Sequence, residues 1–330
     1  MRNLTLFAIL AICLTSLYTI DCAACSASEG SQDDESRGGL RKFWSGNGDM
    51  RRQTLMVDGE AREYFLYIPS GPIEYPAPAV FAFHGGGGTA RAMDKFTGGI
   101  TRCADQNHFL IVFPEGISRH WNDGRKVNDH KEDDVAFITR LIESLTGQGK
   151  IDGARVYATG ISNGGFFSQY LALKLPGRFA GIASVAATLA ENHASLMTRT
   201  ATPVMYILGT EDPLVPFSGG KIGGKLFKKG RGQVLSADRA VRFWLENNGL
   251  GESTGQSMVS DTIPSDHTSV LHQHFGVSGS NEEVEVYDIQ GGGHTWPRGW
   301  QYLPVAIVGR TSQELNANQV IWDFFSRHHL

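Results

Sequence analysis

Short apolar, β-branched or aromatic runs recur along the chain at 64–68, 79–83, 110–113, 155–159, 182–185, 204–208 and 284–289. Several are apolar at successive positions rather than at alternate ones. That is the pattern of strands covered on both faces, as in a parallel sheet under helices. Between them lie stretches with helical period. Residues 133–145 put Val135, Ile138, Ile142 and Leu145 on one face behind an acidic start. Ser236 is placed to cap a helix reaching about Asn248, with Val241, Trp244 and Leu245 inward. Residues 166–175 form a helix that Pro176 ends, and residues 320–328 close the chain as an amphipathic helix. The alternation predicts one α/β domain over residues 46–330: a mostly parallel central sheet covered by helices on both faces, joined by right-handed crossovers.

The N-terminus changes the picture. Arg2 precedes an apolar stretch over 4–20, followed by the small residues Ala23 and Ala24, which predicts a cleaved export leader over 1–24. The competing reading is an uncleaved anchor, which Thr5, Thr15, Ser16 and Thr19 weaken. Residues 25–45 are expected to be a disordered linker, because the serine- and acid-rich stretch after Cys25 lacks apolar side chains to offset its ordering entropy. Of the four cysteines, only Cys103 lies within the domain, so the fold must stand on its core and not on disulfides. Cys103 reads as a small buried apolar residue. Cys25 is an alternative lipidation site, for which Cys22 is a poor preceding residue. A net charge of -4 over 330 residues gives no strong field of either sign, so nucleic acid is not an expected partner.

The 40 glycines cluster in short runs beside apolar segments, which marks tight functional turns. Gly160-Ile161-Ser162-Asn163-Gly164-Gly165 follows one predicted strand and precedes a predicted helix. The G-x-S-x-G spacing there is a strand-to-helix elbow that lifts a serine hydroxyl above a sheet, making Ser162 the candidate nucleophile. Gly251-Glu252-Ser253-Thr254-Gly255 has the same spacing but follows a helix end, so it reads as a loop. His84-Gly85-Gly86-Gly87-Gly88-Thr89 also leaves a strand. Its amides, from Gly86 or Gly87, and that of Asn163 are the candidate donors to an oxyanion. No Gly-Lys-Ser/Thr follows, which excludes a phosphate loop.

A serine needs a base, and the base needs an orienting acid. Asp212, in Gly209-Thr210-Glu211-Asp212-Pro213 just past a strand, is the candidate acid, with Glu211 as the neighbouring alternative. His294 follows a strand and Gly291-Gly292-Gly293, and reads as a base on a flexible rim loop. His328 and His329 are terminal, His267 lies in a polar loop, and His272 and His274 alternate in a strand that suits a surface face or, weakly, a metal pair.

With these residues in view, the chain resembles the polyhydroxybutyrate depolymerase/feruloyl esterase-like family of secreted hydrolases. The segments that carry the resemblance are His84 to Ala90, Gly160 to Gly165, Gly209 to Pro216 and Gly291-Gly292-Gly293-His294-Thr295-Trp296-Pro297. Phe113-Pro114-Glu115-Gly116 and Ile321-Trp322-Asp323-Phe324-Phe325 add support. The resemblance implies the α/β-hydrolase fold and carboxylic-ester hydrolysis outside the cytoplasm, without a cofactor. Polyester, feruloyl and acetyl-polysaccharide esters are the implied substrate classes.

Trp121, Phe166, Trp296 and Trp300 are candidates to line an acyl pocket, and Trp296, His84 and Gly87 are candidate substrate contacts. Residues 218–232 carry Lys221, Lys225, Lys228, Lys229 and Arg231 and read as an exposed basic hairpin. No H-E-x-x-H or cysteine-pair ligand set appears, so no metal is expected. The enzyme is expected as a monomer without stable membrane insertion. The alternatives are a serine peptidase on the same fold and a surface-binding homologue without turnover.

Overall fold

The apolar runs form strands that divide two cores between their faces. In the computed structural model, residues 44–128, 133–223, 230–251 and 256–330 are described. The strands are β1 (Asp49–Val57), β2 (Glu60–Ile68), β3 (Ala77–Phe83), β4 (Leu110–Pro114), β5 (Ile151–Ile161), β6 (Gly181–Val185), β7 (Val204–Gly209), β8 (Gly220–Lys221), β9 (Gln233–Val234), β10 (Gln256–Ser260), β11 (Ser269–Phe275) and β12 (Val284–Gln290). The helices are α1 (Ala90–Phe96), α2 (Ile100–Asn107), α3 (Asp134–Gly147), α4 (Asn163–Lys174), α5 (Ala237–Asn247), α6 (Val305–Val308) and α7 (Ala317–Phe325).

Ten strands make one sheet in the order β1-β2-β4-β3-β5-β6-β7-β12-β11-β10. The pairs from β4 to β12 are parallel, and β1, β2, β10 and β11 add antiparallel edges. Period two explains why the central strands are apolar throughout. In β3, Ala77, Ala79, Phe81 and Phe83 enter one core while Val80 and Ala82 enter the other; in β7, Val204, Tyr206 and Leu208 oppose Met205 and Ile207. Helices α3, α4 and α5 cover the first core with Leu141, Phe167 and Trp244. Helices α1, α2 and α7 cover the second with Met93, Ala104 and Phe324.

Trp44 is buried against Phe65 and Phe113, and the Ser45 amide donates to Asp94, so packed structure begins two residues before the expected boundary at 46. The expected leader over 1–24, Cys25 and the rest of the linker to residue 43 lie outside the described residues. Cys103 is buried, as its apolar reading requires. No helix among the described residues is long and apolar enough to cross a membrane. The closing helix starts three residues earlier than its periodicity predicts, because the Asn316 side chain caps it on the Gln319 amide.

At the end of β12 farthest from His294, Glu283 is fully buried and binds Arg327 (2.8 Å), His274 (3.0 Å) and His328 (2.9 Å). Burial opposes its charge, yet hydrogen bonds from His328, the Gly279 amide and Arg327 win and hold the carboxyl down at about 2. His274, Glu283 and Glu285 bring ligand atoms within 4.8 Å of one another, but Arg327 already pairs with both carboxylates, at 2.8 and 2.7 Å. The expected surface or metal-pair histidines are thus part of an ionic clasp holding the C-terminal tail to the sheet.

Asp288, further along the same strand, has the opposite electrostatics. It is buried with Oδ1 unpartnered, and burial pushes its carboxyl up to about 6. The folded state therefore holds this proton more tightly than the unfolded chain does. Ionisation destabilises the fold, with no penalty below about pH 4 and the full penalty, roughly 3 kcal/mol, above about pH 6. Asp288→Asn should accordingly raise the thermal midpoint at pH 8, with the gain vanishing near pH 4. A midpoint difference between variant and parent that is the same at both pH values would contradict this.

Candidate active site

Ser162 ends β5 and begins α4 with φ 55° and ψ −119°, a sparsely populated conformation for a residue with a side chain. The surrounding glycines are dictated by close approach. A Cβ on Gly164 would lie 2.2 Å from the Phe83 carbonyl, one on Gly160 2.6 Å from the Gly164 backbone, and one on Gly165 2.9 Å from Ser184 Oγ. The Ser162 amide donates to Val185 O (2.9 Å), and Ser162 O accepts the Phe166 amide (2.9 Å), so the elbow is fixed from both sides. The first amides of α4 point toward the serine, where a helix N-terminus favours negative charge.

Hydrogen bonds across the sheet keep the neighbouring strand ends level. Ala186 donates to Ile207, Thr210 to Ile289 and Glu211 to Gly292. This places the turn carrying Asp212, after β7, beside the loop carrying His294, after β12. His294 Nδ1 lies 2.7 Å from Asp212 Oδ2, both side chains being nearly fully buried. Asp212 Oδ1 accepts the Leu214 and Val215 amides at 2.7 and 2.8 Å, which orients the carboxylate. Glu211, the alternative acid, is exposed and faces Arg310 at 3.6 Å. Among the described residues no hydrogen bond joins Ser162 Oγ to His294. Such bonds are often long in ligand-free sites and tighten on substrate binding.

The candidate base, His294, does not sit on a flexible loop, contrary to expectation. Gly292 forms a parallel bridge with Arg310, the Gly293 amide donates to Arg310 O, and the His294 amide donates to Val308 O at 2.6 Å. Tyr302 Oη donates to the His294 carbonyl (3.2 Å). Gly293 permits this, since a Cβ there would meet Val308 O at 2.2 Å.

The glycine loop after β3 lies against the elbow. A Cβ on Gly85 would be 3.6 Å from Ser162 Cβ, and one on Gly86 3.7 Å from Asn163 Cβ. The Gly87 amide is committed to Arg119 O (2.8 Å) and the Gly88 amide to Gly85 O (2.9 Å). The amides of Gly86 and Asn163 have no protein acceptor among the described residues, which decides between Gly86 and Gly87 as the candidate donor.

Two candidate substrate contacts are corrected. His84 is buried, with Nδ1 2.9 Å from Gly85 O and Nε2 accepting the Gly116 amide at 3.0 Å. Burial lowers its pKa to about 4, so the ring stays neutral and shapes the glycine loop. Trp296 is fully buried and donates from Nε1 to Asn318. Trp121 and Phe166 are core as well, Trp121 stacked on Phe167 and Phe166 beneath the Arg125 guanidinium (4.1 Å). Only Trp300 of the four aromatics is exposed, with Lys95 Nζ over its ring.

A buried polar network fixes Asn163. Its Oδ1 accepts the Trp121 amide (2.8 Å), and its Nδ2 donates to Trp121 O (3.1 Å) and Asp123 Oδ2 (2.7 Å). Asp123 is held by Arg125 through both oxygens, and its carbonyl accepts His193 Nε2 at 2.6 Å. Burial lowers the His193 pKa, which keeps it neutral. Nearby, Glu115 accepts the first amide of α1, and burial pushes its carboxyl up to about 7. The run Trp121-Asn122-Asp123-Gly124-Arg125, a polar turn in the loop that follows β4, was the available signal for this network.

The basic hairpin exists at its base, where β8 pairs antiparallel with β9, and Ile222 and Val234 pack with Phe166 and Val215. Lys225, Lys228 and Lys229 lie outside the described residues, as do 252–255 of the second G-x-S-x-G match.

The sequence model of the family described as esterase PHB depolymerase matches residues 62–216. A protein of Nocardia uniformis subsp. tsuyamanensis named as an esterase, NocK, is 30% identical over 280 residues, covering 82% of this chain and 80% of its own. Feruloyl esterase B of Piromyces equi is 26% identical over 73% of this chain, and poly(3-hydroxyalkanoate) depolymerase C of Paucimonas lemoignei 30% identical over 38%. The aligned regions span 45% and 31% of those two longer relatives. Among solved structures, the acetyl xylan esterase from Aspergillus awamori superimposes with a TM-score of 0.57 at 14% identity, over 85% of this chain and 100% of that one. That likeness establishes the α/β-hydrolase fold.

The elbow makes a stability prediction. Gly164→Ala forces a methyl group onto the Phe83 carbonyl and should lower the thermal midpoint by at least ~6 °C, for a loss of about 3 kcal/mol or more. Gly147→Ala, where a Cβ meets nothing within 4 Å, should leave the midpoint within about 2 °C. Calorimetry on both variants checks the contrast, and equal midpoints would refute the packing argument.

Proposed function

This chain belongs to the esterase PHB depolymerase family, a family of carboxylic ester hydrolases, and on that premise we propose that Ser162, His294 and Asp212 hydrolyse esters through an acyl-enzyme. One observation carries the reading: a strained serine at the head of α4 shares the sheet edge with a buried, hydrogen-bonded Asp212–His294 pair.

His294 takes the Ser162 proton as Oγ attacks the ester carbonyl. Its Nδ1–H stays on Asp212, which fixes the tautomer and stabilises the imidazolium that forms. Negative charge moves to the carbonyl oxygen, where the Gly86 and Asn163 amides donate, each worth on the order of 3 kcal/mol in the transition state. The network around Asn163 supports this step by holding its amide in place before charge develops. His294 then protonates the departing alcohol, and water repeats the sequence to release the acid.

The names of the relatives support polyester or feruloyl esters as substrates, with acetyl esters of polysaccharide as a third class. We place the enzyme outside the cytoplasm, exported by a leader over residues 1–24. That rests on the basic, apolar and small-residue order of the leader.

A fluorophosphonate probe should label the parent protein and not Ser162→Ala. With p-nitrophenyl butyrate, Asp212→Asn should lower kcat on the order of 10⁴-fold. Labelling or turnover that survives in Ser162→Ala would remove the nucleophile assignment.

A further inference from the structure

We propose that His120 forms a substrate-positioning subsite beside the two oxyanion amides, its Nε2 accepting a hydrogen bond from a hydroxyl carried close to the scissile ester. This rests on the reading of Ser162, Gly86 and Asn163 given above.

His120 lies in the loop that leaves β4, where Ser118 and Arg119 both adopt left-handed φ, 50° and 63°. Two successive residues with side chains are disfavoured there, and glycine would be the relaxed choice. The conformation delivers two anchors. The Arg119 carbonyl takes the Gly87 amide, and the Trp121 amide and carbonyl grip the Asn163 side chain. His120 stands between them, tied to the glycine loop on one side and to the residue after the nucleophile on the other. Its ring edge lies over Gly86: a Cβ at that glycine would be 3.2 Å from His120 Cδ2 and 3.3 Å from Nε2, and 3.7 Å from Asn163 Cβ. Nε2 therefore opens beside both candidate oxyanion donors.

The hydrogen bonding sets what the ring offers. Nδ1 is 2.9 Å from the Ser118 carbonyl, which only accepts, so Nδ1 carries the proton and Nε2 of the neutral ring is a lone pair. Among the described residues Nε2 has no hydrogen-bond partner, and the side chain is only half-buried. An ester group has no donor to give it, whereas a hydroxyl a few bonds from the carbonyl does. Two kinds of ester supply one: a hydroxyacyl ester, on the acyl side, and a sugar or polyol ester, on the alcohol side. A site built to pair with a substrate hydroxyl discriminates against the analogue lacking it.

The test compares kcat/KM within two matched pairs: p-nitrophenyl 3-hydroxybutyrate against p-nitrophenyl butyrate, and 2-hydroxyethyl acetate against ethyl acetate. The parent enzyme should favour the hydroxylated member of one pair by about tenfold, and that pair identifies the side of the ester that His120 faces. His120→Phe, which keeps the ring and loses the acceptor, should bring that ratio to near one. His120→Gln, which keeps an acceptor, should restore part of it. Because each ratio is taken within one enzyme, a general loss of activity cancels. The subsite is overturned if the parent shows no preference in either pair, or if His120→Phe keeps the parent ratio. Absence of turnover on all four esters would instead overturn the nucleophile assignment and this subsite with it.

Discussion

The site depends on how closely the elbow approaches the strand beside it. At Gly164 the helix backbone comes so near the Phe83 carbonyl that no side chain fits between them. That contact draws the end of β3 against the start of α4, and the glycine loop leaving β3 then has nowhere to go but over Ser162. The candidate nucleophile Ser162, just past β5, and the Gly86 amide on the β3 loop, about 80 residues apart in sequence, become neighbours because two backbones touch. The adjacent parallel strands carry the same edge on to Asp212 and His294.

Holding that edge together takes buried polar groups, which are costly in a core unless every one is satisfied. Asn163, Asp123 and Arg125 answer one another, His193 joins them through Nε2 while its Nδ1 is left without a partner among the described residues, and His84 spends both nitrogens on backbone. The neutrality of the two buried histidines follows from their burial and keeps uncompensated charge away from the candidate oxyanion amides. Rigidity here has a chemical purpose: preorganised dipoles stabilise developing charge without having to turn toward it.

The proposed trio of Ser162, Asp212 and His294 was legible from sequence because close backbone contact demands glycine at fixed offsets, and such offsets survive as motifs. The central strands were legible because two cores leave no polar face. Other features follow from distance or context. Besides Arg125, the partners of Asp123 lie 40 and 70 residues away, so the polar Trp121–Arg125 turn signals a network without naming Asn163 or His193 as members. Strands β1 and β10 are edges with exposed apolar residues such as Met56 and Met258, and their mixed composition hides them. Trp296 beside His294 looked like a substrate wall, whereas its indole points inward to Asn318, a direction that adjacency in sequence cannot give. The His294 loop read as mobile from its three glycines, yet those glycines exist so that it can be clamped against residues 308–310.

That clamp has a consequence for divergence. Gly292 and Arg310 meet side by side, so the chain between His294 and Val308 leaves and returns at one point, as a closed excursion. Its tip carries exposed Trp300 and Val305. Lengthening a surface excursion whose ends are already joined adds little entropy and moves neither end. Trp296 and the Trp300 amide stay anchored to Asn318 and Phe96, so it is the tip between Trp300 and Val305 that can change in length while His294 keeps its place.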